Sequence, residues 1–103
     1  MSDAFDWWLT ALGRNVLWCG LRELPAGTAQ VLDTDGNLLP YDSTDTARAA
    51  LMDAGYVQLD GLDEDDARNF GVDLSELQPP QGNDPALLHD QLLQRLPAVR
   101  PNH

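Results

Sequence analysis

Six carboxylates, Asp60, Asp63, Glu64, Asp65, Asp66 and Asp73, fall between residues 59 and 73, with Arg68 the one base among them. Carboxylates at this density can chelate a hard cation, work as an acid–base pair, or imitate the phosphates of a nucleic acid. Each of these needs the oxygens to converge or to line up. Asp63, Glu64, Asp65 and Asp66 follow one another directly, and four successive residues of a helix point around its circumference. A plainer role fits the same residues. Asp63 is a good N-cap residue, and the next three acids fill the first turn of a short helix, where each such interaction contributes about 0.3–1 kcal/mol. The functional reading that remains is an acidic patch facing a partner; a metal site is disfavoured.

A second acidic stretch, DTDGN at 33–37, can be tested as a calcium loop. With Gly36 at the sixth position, Asp33 and Asp35 take the third and fifth and Asp42 the twelfth. The first position is then Val31, the twelfth is Asp where a bidentate Glu is needed, and no helical pattern enters the loop. Asp-Gly between two short apolar arms reads instead as a hairpin turn. His89, His103 and Cys19 have no zinc spacing, and Cys19 lies in the apolar run VLWCGL as an expected buried, inert thiol. There is no nucleophile elbow, P-loop or dinucleotide fingerprint. Fourteen aspartates produce carboxylate pairs by chance, so catalytic, cofactor-binding and metal-binding residues are all expected to be none.

The whole chain has 103 residues and seventeen acids against six bases, all arginine, for a formal charge of −11. One modest domain suits this length. Direct binding to nucleic-acid phosphates or to anionic membranes needs clustered cations and is disfavoured; a basic protein surface is compatible. The N-terminal run MSDAFDWWLTALG is acidic where a signal peptide is basic, and no segment reaches the ~20 apolar residues of a membrane span. A cytoplasmic protein is expected. Lysine-free, leucine-, alanine- and aspartate-rich usage is associated with GC-rich bacterial or phage genomes.

The elements that must position these residues follow from periodicity. Ser2, Phe5, Trp8, Leu9, Leu12 and Gly13 give the cap, the i, i+3, i+4, i+7 face and the stop of a first helix, with Trp7 about 100° off that face. NVLWCGLREL reads as a strand apolar on both sides. Residues 29–32 and 38–41 form the arms of the hairpin, with Pro40 placing the second arm at a sheet edge. Ser43 or Thr44 starts a helix that ends at Gly55; YVQLD is a short strand; Asp63 to Gly71 is a two-turn helix. SELQPPQGND is broken by Pro79, Pro80 and Gly82, and Asp84 with Pro85 opens a last helix.

The expected fold is therefore α+β, a small single domain with a mainly antiparallel sheet of about four strands, in the order α-β-β-β-α-β-α-α. Residues 1–77 make the core, 78–84 a Pro/Gly linker, 85–96 a C-terminal amphipathic helix and 97–103 a tail. Leu88, Leu92 and Leu96 stripe that helix, which covers its own sheet or docks on a partner, a homodimer included. The expected function is a small, non-enzymatic protein-binding module of adaptor, inhibitor or immunity type, recognising a basic surface through Trp7, Asp63, Glu64, Asp65 and Asp66. Two alternatives stand beside it: a nucleic-acid mimic, if the acids of 33–45 and 60–66 share one side, and a small enzyme using paired aspartates.

Overall fold

The computed structural model describes residues 5–69, 71–82 and 84–96. Among the described residues the sheet is antiparallel throughout and has six strands. These are β1 (Asp6–Leu12), β2 (Asn15–Glu23), β3 (Ala29–Leu32), β4 (Leu38–Tyr41), β5 (Val57–Gln58) and β6 (Leu93–Arg95). Three short helices accompany them: α1 (Thr44–Asp53), α2 (Glu64–Asn69) and α3 (Pro85–Leu88), with 3₁₀ turns at Leu74–Glu76 and His89–Gln91. The α+β class and the antiparallel sheet agree with the sequence reading, with two more strands than expected.

The first correction lies at the N-terminus. Residues 6–12 are a strand and not a helix, paired with β2 from Asp6↔Leu21 to Leu12↔Asn15. The apolar positions satisfy both periods. Phe5, Trp7, Leu9 and Ala11 alternate onto one core cluster, while Trp8 goes to the other. Pairing decided between the readings. WWLT is rich in strand-favouring side chains, and β2 offers it a full antiparallel edge. Gly13 is not a helix stop: its φ of 61° makes it the first residue of a two-residue hairpin turn. The expected cap at Ser2 lies outside the described residues, as do Phe70 and the tail.

The strand order is β4-β3-β2-β1-β5, and β6 also pairs with β2. On the edge away from β1, β2 therefore has two partners. β3 takes Gly20 to Glu23, and β6 takes Asn15 to Leu17. Trp18 sits at the junction. Its N–H donates to the Leu92 carbonyl at 2.8 Å, and its carbonyl accepts from the Thr34 hydroxyl at 3.0 Å. A backbone group stranded between two strands is thereby satisfied.

Each face of the sheet has its own core, as the two-sided apolar pattern of β2 requires. Trp8, Cys19, Leu21, Ala29 and Val31 pack with Ala47 and Leu51 of α1. Leu9, Val16, Trp18 and Leu32 pack with Ala67, Val72, Leu88, Leu92 and Leu96 on the opposite side. Trp8 and Trp18 are essentially inaccessible, so each removes about 4–6 kcal/mol worth of apolar surface from water, an upper figure for an extended unfolded chain. Ser43 caps α1 by accepting from Thr46 N–H, and Asp84 with Pro85 starts α3, both as the sequence signalled.

The second correction concerns residues 78–96. No helix spans 85–96: α3 lasts one turn, a 3₁₀ turn follows, and the chain then enters the sheet as β6. Leu88, Leu92 and Leu96 are all buried in their own core, so the stripe offers no free face to a partner or to a second copy. The Pro/Gly stretch is an extended strap tied to this segment by glutamine amides. Gln91 accepts from Gln81 N–H at 2.8 Å and donates back to the Gln81 carbonyl at 3.2 Å. Gln94 accepts from Gln78 N–H at 3.0 Å and from the Trp18 indole at 3.3 Å, and donates to the Glu76 carbonyl at 2.7 Å.

Candidate protein-binding surface

Asp63 does what its position implied. Its Oδ1 accepts from Asp66 N–H at 2.8 Å and its carbonyl accepts from Ala67 N–H at 3.0 Å, so this carboxylate is committed to starting α2. Asp65 forms an ion pair with Arg68 one turn on. Glu64 and Asp66 are exposed, and no described cation pairs with them. The helix is held down by Ala67, which is fully buried, and Val72 N–H donates to the Ala67 carbonyl as the chain leaves. The acids are therefore displayed on a fixed mount.

Open depressions flank this helix. One, of about 340 Å³, is lined by the half-buried Val57, Gln58 and Leu62 and by the exposed Asp60, Gly61, Asp66 and Asn69. The other, of about 420 Å³, lies between Glu64 and Arg68 on one side and Val72, Asp73 and Leu74 on the other. Asp73 is exposed, and the Ser75 hydroxyl and N–H both donate to its Oδ1, at 2.7 and 3.0 Å. Those bonds hold its carboxyl below the usual carboxylate range. A lining of apolar and carboxylate groups suits a lysine or arginine side chain, which can lay its methylenes on the former and its cation on the latter.

Trp7 is placed differently from the four acids. It is half-buried and packs against the second core cluster, its ring 5.5 Å from that of Phe5 at 44°. Phe5 in turn lies under the Arg22 guanidinium, 4.4 Å from the ring centroid. Sequence reasoning treated Trp7 as off the apolar face because it took the segment for a helix. In a strand, Trp7 shares a face with Phe5 and Leu9 and has a packing role.

The two acidic stretches leave opposite edges of the sheet. Asp33 and Asp35 sit in the β3–β4 turn, where Asp33 Oδ1 accepts from Asn37 N–H at 2.9 Å. Gly36 approaches the His89 ring so closely that a Cβ would come within 2.6 Å of Cδ2, and its φ of 88° excludes most other residues. α2 follows β5 at the other edge. Among the described residues no group of three His, Cys, Asp or Glu side chains could hold a metal ion.

The remaining chemical groups are enclosed. Cys19 is 3% exposed, and burial pushes its thiol up. Burial also raises Tyr56 beside it, to about 12, and Thr34 lies 4.0 Å from Cys19 Sγ. A desolvated thiol of this kind is a poor nucleophile. Among the described residues, no helix is long and apolar enough to cross a membrane. One surface went unseen at the sequence level. α1 covers the part of its sheet face that carries Trp8, Cys19, Leu21, Ala29 and Val31. Beyond it Thr10, Leu17 and Leu93 form a cross-strand row beside Leu12, with Leu12 64% and Leu93 56% exposed. The cross-strand register of β6 was the missing signal, and it is invisible while 85–96 reads as helix. No protein family, curated protein or solved structure matches this chain.

Proposed function

We propose that this protein is a small, non-enzymatic binding module that docks on a basic protein surface through α2 and the depression beside it. The supporting observation is that Asp60 and Asp66, neither of them ion-paired with a described cation, line one depression together with the half-buried Val57 and Leu62, while Glu64 lines the depression on the other side of α2. The net charge of −11 would steer a cationic partner towards it, and the apolar lining would hold what arrives. Asp63 and Asp65 contribute to the field while capping and pairing within the helix. Trp7 packs against the same core cluster as Val57 and Leu62.

The test is affinity capture from lysate at low and high salt, comparing the native chain with the Asp60→Lys/Asp66→Lys variant. Neither carboxylate makes a side-chain hydrogen bond among the described residues, so the fold should survive; circular dichroism would verify this. A basic protein retained at low salt by the native chain alone supports the proposal. Equal retention by both proteins refutes it, as does retention of nothing. Capture confined to nucleic-acid-binding proteins that DNA displaces would favour the mimic instead.

A further inference from the structure

We infer that Asp60 is a site of spontaneous covalent modification, at which the Gly61 amide nitrogen closes on the Asp60 side chain to form a succinimide that water opens to isoaspartate. This chemistry needs no partner and stands apart from the binding role of α2.

The chain contains two Asp-Gly bonds, Asp35-Gly36 and Asp60-Gly61, and both aspartates are exposed. Asp-Gly suits ring closure because glycine has no Cβ to hinder the approach of its own nitrogen. The Gly61 nitrogen gives up its proton and bonds to Asp60 Cγ, the Cγ–OH bond breaks, and one water leaves. Water then adds back to the ring. Attack at Cγ restores aspartate. Attack at the backbone carbonyl gives isoaspartate, whose main chain runs on through Cβ and Cγ.

The two turns differ in what the attacking nitrogen must abandon. Gly36 N–H closes its own turn, donating to the Asp33 carbonyl at 3.0 Å. To reach Asp35 Cγ it must leave that bond, and Gly36 also lies against the His89 ring. Gly61 N–H makes no hydrogen bond among the described residues. Here the closing bond runs from Leu62 N–H to the Leu59 carbonyl at 3.0 Å, and Gly61, with φ of 87°, holds the third position of the turn. The Asp60-Gly61 peptide is therefore the central one. It can rotate as a rigid plane about its two flanking bonds while the Leu62–Leu59 bond stays in place. A Cβ built on Gly61 would meet nothing within 4 Å, so the rotation has room. The Asp60 carboxylate makes no hydrogen bond or ion pair that would hold it away.

The product alters the surface on which it forms. The succinimide removes the Asp60 carboxylate from the depression beside α2. Isoaspartate returns the charge on a shorter arm, with one more carbon in the main chain of the turn.

Incubation of the full chain in heavy-oxygen water at near-neutral pH tests this, since every ring opening leaves one heavy oxygen whether aspartate or isoaspartate results. Trypsin cuts after Arg22, Arg48 and Arg68 and so places Asp35 and Asp60 in separate peptides, 23–48 and 49–68, where fragment masses locate the label. Asp60 should take up label between about twofold and tenfold faster than Asp35, the factor that one backbone hydrogen bond is worth. In urea, where both turns are lost, the two rates should converge. Asp60→Glu would need a larger ring, and label at residue 60 should fall to background while Asp35 is unchanged. Equal labelling of the two aspartates in the folded chain overturns the proposal, as does a preference for Asp60 that survives unfolding. Label that persists at residue 60 in the glutamate variant is carboxyl exchange without a ring and overturns it too.

Discussion

Gln94→Ala is the substitution whose cost can be worked most directly from the structure. The side chain makes three hydrogen bonds, and the groups it would abandon differ in their access to water. Gln78 N–H and Glu76 C=O belong to exposed residues and can be rehydrated, so together they account for at most about 1 kcal/mol. The Trp18 indole N–H belongs to a residue with no exposed surface. Left without an acceptor, it costs about 1–3 kcal/mol. A total of about 1–4 kcal/mol follows. Gln91→Ala is the matched control: it removes two bonds from the same strap, but both end on the exposed Gln81, so it should cost less than about 1 kcal/mol.

Urea unfolding followed by far-ultraviolet circular dichroism gives the comparison. With m of about 1.5 kcal/mol per M, Gln94→Ala should lower the midpoint by roughly 0.7–2.7 M and Gln91→Ala by less than roughly 0.7 M. A double-mutant cycle with Trp18→Phe isolates the buried bond, and a coupling of about 1 kcal/mol between positions 18 and 94 is expected. If the two glutamines cost the same, or if the coupling vanishes, the burial of the indole donor is not what sets the magnitude and the reasoning fails.

Two further predictions rest on the same central strand. Thr34→Val should destabilise the fold by about 1–3 kcal/mol in the same assay, because it strips the Trp18 carbonyl of its acceptor role at the gap between β3 and β6; Thr34→Ser should recover most of the loss. Tyr56 gives a pH dependence. Its folded pKa, raised by burial to about 12, lies above the ordinary value of 10, so between these the unfolded chain releases a proton that the folded chain keeps. Stability is therefore full below pH ~10 and falls as pH rises towards ~12. Thermal melts across that window should show the fall in the native chain and a smaller one in Tyr56→Phe; identical curves would refute the assignment.

The legible parts of this fold were those announced by local chemistry. Asp-Gly at 35–36, Ser43, Asp63 and Asp84-Pro85 each specify a turn or cap through bonds made within a few residues, and all formed as read. What stayed hidden depended on distant partners. Residues 5–12 fit two periods equally, and only the edge of β2 chooses between them. The i, i+4, i+8 leucines of 88–96 are buried as a helical stripe would be, yet the chain between them changes from helix to strand because β2 has an unpaired half-edge at Asn15 to Leu17. Gln91 and Gln94 hold the strap through its backbone groups, and nothing local marks a glutamine as a backbone tie. Of the candidate site, the acids were legible as exposed, whereas the depression beside them was not, since Val57 and Leu62 come to it through the β5 pairing.

The acids around α2 follow β5 at one edge of the sheet, where β5 pairs with β1. Under the proposed function, salt would screen the attraction of a basic partner for Asp60, Glu64 and Asp66. A salt titration of partner capture should therefore show retention falling as ionic strength rises. Retention that salt leaves unchanged would mean that the apolar lining of Val57 and Leu62 holds the partner, and the role argued for the acids would be wrong.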